Sequence, residues 1–309
     1  MARANARKVL LCLGLILVAI LINAQASQAG IIGPTNPGCG PGGFTCPINV
    51  TNHGGAVLSG AVDIFGIFYG DFTSANSGSP ITAQQVVHNW ISAMNGTTYM
   101  NIDSTYGATT NLTYAGEYDE GAYLGTNISN AQILTIVQDA ETGGHVATET
   151  NAIYFVFTAP GIDPTQGADC GWHDHSGATI YSWVGPSIPC DFLGGNTSGN
   201  LVGNEFTETG SHELFEATTD PQLNAYYYKN TAGEVGDVCV NSNSAITLND
   251  GKKYDLQSIW VRDSASFPAN GGACAQGYQS TTAPEPASAA LLLAGCAVLL
   301  GFRLYPRRA

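Results

Sequence analysis

Residues 152–158 read AIYFVFT and form the clearest buried strand of the chain. Buried strands are also predicted at 61–69 (AVDIFGIFY) and 179–184 (TIYSWV). Between the first two of these strands along the chain, apolar residues recur at helical spacing within 82–94 and 130–141. Strands and helices thus alternate, which predicts an α/β layered domain with a mixed, partly parallel sheet.

Weaker patterns add one element within this range and two beyond it. They predict a strand at about 109–116, a helix at about 203–218 and a strand at 254–261. A loop rich in Cys, His and Asp is expected to lead into the strand at 179–184. We therefore predict one disulfide-stabilised globular ectodomain over 56–274.

The charge of the chain excludes one class of partner. The full chain carries a net charge of −14, yet residues 30–280 hold four basic and 23 acidic residues, a balance of −19. Binding to a phosphate backbone needs clustered Lys and Arg. Nucleic acid is therefore excluded as a partner.

The N-terminal residues have the order of a secretory signal peptide. Basic residues within 1–8 precede an apolar run at 9–22, and small residues follow at 24–29. We predict a signal peptide at 1–29, followed by a Gly/Pro-rich N-terminal segment at 30–55. The alternative is a retained anchor helix, although the run is shorter than the ~20 residues of a membrane span.

The C-terminal residues predict a second targeting segment. A linker at 275–286 ends in Pro-Glu-Pro, and an apolar stretch at 287–302 precedes terminal arginines within 287–309. The residues that define this signal are Pro284, Glu285, Pro286, Arg303, Arg307 and Arg308. Together they resemble the PEP-CTERM sorting signal of Gram-negative bacteria. That resemblance implies membrane attachment before processing, an exosortase-type processing enzyme, and association with the cell envelope or an extracellular polysaccharide matrix. The alternative is a permanent single-span anchor.

Cysteine use agrees with export. The body of the chain holds an even number of cysteines, which in an exported protein indicates disulfides. By neighbourhood alone we expect the pairs Cys39–Cys46, Cys170–Cys190 and Cys239–Cys274. Other connectivities remain open.

The segment 205–221, EFTETGSHELFEATTDP, is the richest in groups that could carry chemistry. On a helix, its spacing places four polar side chains on one face: Glu205, Glu208, His212 and Glu216. A neighbouring apolar stripe could pack on the sheet: Phe206, Gly210, Leu214 and Ala217. Carboxylates stacked in this way repel one another, so a bound cation is one explanation of the pattern. The alternative is a solvated acidic helix.

Within this helix, HELFE at 212–216 resembles the HExxH motif of zincin metallopeptidases, with Glu in place of the second His. The resemblance implies a zincin-like fold in which His212 and Glu216 bind one metal ion and Glu213 acts as general base. Further ligands are expected downstream: Glu234 or Asp237, with Asp220 and Glu208 as weaker candidates. The metal would be Zn²⁺ or, given so many carboxylates, Ca²⁺.

A second resemblance lies in 170–190. Three blocks, CGWH at 170–173, YSWVG at 181–185 and PC at 189–190, are similar to the phosphate-induced protein 1 (EXORDIUM) family. The similarity extends from about Asp63 to Cys274 and implies a secreted or wall-associated protein. A turn in this region could bring His173 or His175 near the acidic helix.

Three functions are compatible with these patterns. The first is an exported envelope or matrix protein with an EXORDIUM-like ectodomain and a metal site. The second is an extracellular zincin-like metal-dependent hydrolase. The third is a calcium-stabilised carbohydrate-binding module, which would use the tyrosine run at 226–228.

Overall fold

The computed structural model describes residues 30–31, 48–165, 169–186, 197–229, 233–240, 242–262 and 271–279. The chain divides into two compact units, of which Ile31–Tyr278 contains nearly all of these residues. The other unit comprises Met1–Gly30 and Gln279–Ala309. The predicted signal peptide and sorting segment therefore lie outside the described residues. Within the described ranges, no helix has the length and apolar character needed to span a membrane.

The strands of the described residues are, in chain order, β1 (Gly30–Ile31), β2 (Thr51–Asn52), β3 (Ala61–Tyr69), β4 (Asn111–Glu120), β5 (Ala152–Thr158), β6 (Gly171–Ser176), β7 (Thr179–Val184), β8 (Tyr226–Tyr227), β9 (Asn243–Thr247), β10 (Lys253–Gln257), β11 (Ile259–Arg262), β12 (Gly272–Ala275) and β13 (Tyr278–Gln279). The helices are α1 (Thr73–Asn76), α2 (Ala83–Met94), α3 (Asn130–Thr142) and α4 (Leu201–Thr219). Two short 3₁₀ helices cover Met100–Tyr106 and Asp237–Cys239.

The main sheet has five strands in the spatial order β4-β3-β5-β7-β6. The first four run parallel, and β6 pairs antiparallel with β7 at one edge. Every residue of the central strand β5 is buried, which requires cover on both faces of the sheet. The mixed, partly parallel α/β sheet predicted from the sequence is confirmed.

Helix α4 is the element that carries the candidate site. It packs against α2 and against the strands β6, β7 and β10. Fifteen of its 19 residues are buried. The alternative of a solvated acidic helix is therefore wrong, because Glu208, Glu213 and Glu216 are buried and Glu205 is half-buried.

The apolar stripe of α4 packs as predicted. The side chains of Phe206, Leu214 and Ala217 have no exposed surface. Gly210 sits against Trp90 of α2, where a Cβ atom would lie 3.1 Å from the indole ring. This close approach positions the polar side of α4 toward β6 and the loop that follows β8.

Two predicted elements differ from the structure. The expected loop at 170–176 is mostly the edge strand β6, which forms a hairpin with β7 through Gly177, at φ 64°. The single strand predicted at 254–261 is two strands interrupted at Ser258, since β10 pairs with β9 and β11 with β12. In both cases pairing with a partner strand outweighs the local pattern.

One predicted disulfide is confirmed. Cys239 and Cys274 are bonded, with a Cα–Cα distance of 5.6 Å, and they join the second 3₁₀ helix to β12. Cys170 is also disulfide-bonded. Its expected partner Cys190, together with Cys39 and Cys46, lies outside the described residues, so those two pairs stay predictions.

Candidate metal centre

His212 and Glu216 lie one turn apart on α4, and their side chains meet. Nε2 of His212 is 3.0 Å from Oε1 of Glu216. Oδ1 of Asp237 is 3.6 Å from the same nitrogen. In a tetrahedral zinc site with bonds of about 2.0–2.1 Å, neighbouring ligand atoms are about 3.3 Å apart. All three ligand atoms lie within 4.8 Å of one another, which is close to the spacing that one zinc ion requires.

The loop at 233–237 reaches α4 closely because Gly236 has no side chain. A Cβ atom at Gly236 would lie 2.8 Å from Cγ of His212. The backbone N–H groups of Gly236 and Asp237 donate to Oε1 of Glu216, at 3.2 and 3.1 Å. The approach of this loop therefore orients both Asp237 and the carboxylate of Glu216.

Gln257 orients the imidazole of His212. Its Nε2 donates to the carbonyl oxygen of Gly236 at 2.8 Å, which turns its Oε1 toward His212. Nδ1 of His212 is 3.1 Å from that Oε1 and donates to it. With its proton held on Nδ1, the imidazole presents Nε2 to Glu216 and Asp237. A hydrogen bond of this kind on the far ring nitrogen is usual for metal-ligating histidines.

A second histidine enters the cluster from β6. Nδ1 of His173 lies 3.8 Å from Oε2 of Glu213 and 3.6 Å from Oε2 of Glu216. Its Nε2 lies 3.7 Å from Oε1 of Glu234 and donates to the carbonyl oxygen of Asp220 at 3.1 Å. His173 is therefore surrounded by three carboxylates and fixed by one backbone acceptor.

Glu213 lines a cavity beside the cluster that has space for a ligand. A cavity of about 250 Å³ is lined by Glu213 together with His212, Asp237, Glu208 and Gln257. Glu213 itself is only 3% exposed. Its Oε2 lies 3.8 Å from Nδ1 of His173, whereas its Oε1 is beside Gly171, which also lines the cavity. Glu213 is thus placed to exchange a proton with a molecule held in the cavity.

The carboxylates of this cluster repel one another. No described Lys or Arg lies within ion-pair distance of Glu213, Glu216, Glu234 or Asp237. Burial, assisted by the charge of Glu216, raises the pKa of Glu234 to about 10 and that of Asp237 to about 7. Burial likewise raises the pKa of Glu213. Protons therefore occupy part of the site when no cation is bound.

The two histidines carry the compensating charge. Burial opposes the charged imidazolium, but Glu216 and Glu213 raise the pKa of His212 well above its usual range. Burial is likewise outweighed at His173, whose pKa is raised by the nearby carboxylates of Glu234, Glu213 and Glu216. The same two imidazolium groups lower the pKa of Glu216 to about 2, against the effect of its burial. A divalent cation would replace these protons, so its binding must depend on pH.

The residues present fit a divalent cation. Besides Oε2 of Glu213, Oε1 of Glu234 is buried without a hydrogen bond, and a buried carboxylate oxygen needs a donor or a cation. Imidazole nitrogens favour Zn²⁺ and related transition metals, whereas Ca²⁺ takes oxygen ligands. The ligand set therefore favours zinc over calcium.

The two weaker candidates, Asp220 and Glu208, belong to neither group of side chains whose ligand atoms converge. Asp220 ends α4, and its Oδ1 accepts from the N–H of Asn224 at 2.6 Å, so its carboxylate shapes a turn. Glu208 is buried and lines the cavity one turn before His212. The tyrosine run at 226–228 does not form an exposed aromatic face, because Tyr226 is buried and the next two tyrosines are half-buried.

Two residues at the site were not among the sequence-based candidates. His173 lies where the sequence predicts a loop, although the polar run at 173–176 followed by Gly177 is a signal for a hairpin with the strand at 179–184. Gln257 lies within a predicted strand, and no local pattern marks its amide as a partner of His212. Its role follows only from the position of β10 beside α4.

Comparison with known proteins gives one family match. Residues 50–191 match the model of the phosphate-induced protein 1 conserved region. The match spans β2 to β7, which includes the whole main sheet and His173, and it stops before α4. It supports the predicted similarity to the EXORDIUM family over this part of the chain.

Two further comparisons add little. No curated protein matches the chain. A solved structure described as "Structure of a chaperone-substrate complex" is 12% identical, with a TM-score of 0.28, over 43% of this chain and 24% of its own. The chain thus spans about a quarter of that structure's length, and a TM-score this low does not establish a shared fold.

Proposed function

We propose that this chain is an exported protein of the bacterial cell envelope or extracellular matrix whose EXORDIUM-like domain binds a divalent cation. The observation that carries the proposal is the convergence of His212, Glu216 and Asp237, whose ligand atoms lie within 4.8 Å of one another. The hydrogen bond that Nδ1 of His212 donates to Gln257, together with the nitrogen ligand, favours Zn²⁺.

Export and sorting are supported by the two ends of the sequence. The signal-peptide pattern at 1–29 and the Pro-Glu-Pro linker with its arginine-flanked apolar segment favour passage across the inner membrane and processing by an exosortase-type enzyme. The Cys239–Cys274 disulfide agrees with an oxidising compartment. A polysaccharide matrix is the partner that such a location favours.

Metal analysis of the full chain tests the cation site. The protein is purified after export, equilibrated with Zn²⁺, freed of loose ions by gel filtration and analysed by inductively coupled plasma mass spectrometry. We expect bound zinc in the wild-type chain and a loss of zinc in His212→Ala. The control is His88→Ala, because His88 makes an exposed pair with Glu117 at 3.7 Å. A zinc-free wild-type chain would refute the proposal.

A second candidate function, hydrolysis, is favoured by the position of Glu213. Its carboxylate lines the same cavity as His212 and Asp237, and burial raises its pKa, which strengthens a carboxylate as a proton acceptor. When bound, a zinc ion would supply Lewis-acid stabilisation of developing negative charge. Glu213 would accept the proton of the attacking water, and the wall of the cavity would orient the substrate.

A further inference from the structure

The carboxylate of Glu216 lies between two histidines. Its Oε1 is 3.0 Å from Nε2 of His212, and its Oε2 is 3.6 Å from Nδ1 of His173. One oxygen therefore faces the set formed with Asp237, and the other faces β6. A carboxylate in this position can bind two cations, one through each oxygen.

The β6 side of Glu216 has a ligand set of its own. The ligand atoms of His173, Glu216 and Glu234 all lie within 4.8 Å of one another, and all three residues are buried. The carbonyl oxygen of Asp220 holds Nε2 of His173 at 3.1 Å. The hydrogen bond to that acceptor directs Nδ1 toward Glu213 and Glu216, which is the role of an outer partner at a metal-bound histidine.

Two unsatisfied oxygens lie beside His173. Oε1 of Glu234 and Oε2 of Glu213 are buried and make no hydrogen bond. The two residues are only 5% and 3% exposed. Oε1 of Glu234, a member of the second set, lies 3.7 Å from Nε2 of His173, and Oε2 of Glu213 lies 3.8 Å from Nδ1. Each is a buried carboxylate oxygen that needs a donor or a cation.

The charge balance of the cluster also favours two cations. Glu213, Glu216, Glu234 and Asp237 would together carry four negative charges when ionised, and no described Lys or Arg pairs with them. One divalent cation compensates half of that charge. Two compensate all of it while both histidines stay neutral, as ligation requires.

The two sets differ in access to solvent. His212 and Asp237 line the cavity, whereas His173 and Glu234 are buried behind them. Catalytic metal sites keep an open position, and structural sites are closed by protein ligands. The cavity side thus has the form of a reactive position, and the β6 side has the form of a closed one.

We propose that Glu216 bridges two divalent cations, one held by His212 and Asp237 at the cavity and one held by His173 and Glu234 behind it. The second site rests on the proposed function, because it shares Glu216 with the first. Two-cation centres hold their ions about 3.5–4 Å apart. Here only the cavity ion would be open to a substrate, and the ion behind it would fix Glu216 in place.

Stoichiometry and magnetic coupling test this proposal on the full chain. Zinc content is expected to be two ions per wild-type chain. After loading with Mn²⁺ instead, electron paramagnetic resonance is expected to show a spin-coupled pair, since two ions that share a carboxylate lie close enough to couple. These two measurements on the wild-type chain do not depend on the folding of any variant.

Single variants then separate the two positions. Glu234→Gln is expected to remove the buried ion, leaving one zinc per chain and an uncoupled Mn²⁺ signal. Asp237→Asn is expected to remove the cavity ion with the same loss of coupling. Glu216→Gln is expected to weaken both. The matched control is Glu117→Gln, an exposed Glu beside His88, which should keep two zinc ions and the coupling.

The outcomes distinguish the two proposals. One zinc per wild-type chain, retained in Glu234→Gln, would overturn the two-cation centre and leave the single cation site intact; His173 would then be a protonated partner of the carboxylates. Two ions without magnetic coupling would also overturn the bridge. No bound ion in the wild-type chain would overturn both proposals.

Discussion

The amide oxygen of Gln257 lies 3.1 Å from Nδ1 of His212 and fixes which ring nitrogen faces the carboxylates. We expect Gln257→Leu to weaken zinc binding about 10- to 100-fold, because the imidazole loses the acceptor that holds its proton on Nδ1. Competition with a chromophoric chelator measures this change. Gln138→Leu, at an exposed position of α3, is the control. An unchanged affinity in Gln257→Leu would show that His212 is oriented by other contacts.

Glu213 is expected to matter for turnover and not for the binding of the cavity cation. Glu213→Gln keeps the size of the side chain and removes the proton acceptor, so we expect a loss of about 10²- to 10⁴-fold in kcat with zinc retained. Hydrolysis of a mixture of quenched fluorescent peptides and p-nitrophenyl esters provides the assay, with Glu117→Gln as control. Wild-type turnover in Glu213→Gln would rule out its role as general base.

Gly236 is expected to tolerate no side chain. In Gly236→Ala the new methyl group would meet the His212 ring and Oε1 of Glu216, both within 2.9 Å. Such overpacking typically lowers the free energy of unfolding by about 1–3 kcal/mol, and the shifted loop should bind zinc more weakly. Urea unfolding and chelator competition measure the two effects. In Gly121→Ala nothing lies within 4 Å of the new atom, so this control should match the wild-type chain.

Asp103 is expected to make stability depend on pH. Burial raises the pKa of Asp103 well above its usual range, despite a hydrogen bond of 2.8 Å from Thr218. In the unfolded chain an Asp has a pKa of about 3.9. The protonated carboxyl therefore contributes its full stabilisation below about pH 4, and this contribution is lost as the pH rises toward the pKa of the folded state.

Substitution by the neutral isostere removes this titration. Between pH 4 and pH 8 we expect the free energy of unfolding of the wild-type chain to fall relative to Asp103→Asn, by at most about 1.4 kcal/mol per pH unit. Urea unfolding in the presence of EDTA isolates the effect from cation binding. Asp119→Asn, an exposed substitution on β4, is the comparison. A pH-independent difference between wild type and Asp103→Asn would contradict the prediction.

The sorting segment makes a separate prediction. Deletion of Pro284, Glu285 and Pro286 is expected to leave the unprocessed chain in the inner membrane, because the apolar segment and its arginines would still stop there. Cell fractionation and immunoblotting measure the location and the size of the chain. Deletion of the neighbouring residues 281–283 keeps the tripeptide and should not change either. An unchanged location after the first deletion would refute the sorting assignment.

Short-range patterns predicted much of the fold. Runs of apolar residues predict the strands β3, β5 and β7, and apolar residues at helical spacing predict the helices α2, α3 and α4. Each pattern lies entirely within the element that it predicts. The strand β6 is different, because its polar residues do not alternate with a buried apolar set. It forms only because β7 supplies a ladder of hydrogen bonds and because α4 covers one of its faces.

For the candidate site too, local sequence predicts some of the residues and tertiary contacts determine the others. His212 and Glu216 could be placed side by side from their spacing alone, since residues four apart on a helix always share a face. Glu234 and Asp237 were both candidates, and only the approach of Gly236 to α4 shows that they lie on opposite sides of Glu216. His173 and Gln257 lie on β6 and β10, which are separated from His212 and Glu216 by long stretches of the chain. Local sequence therefore determines one pair of ligands, and the contacts among β6, β10 and the loop at 233–237 determine the rest, because such contacts depend on the packing of the whole domain.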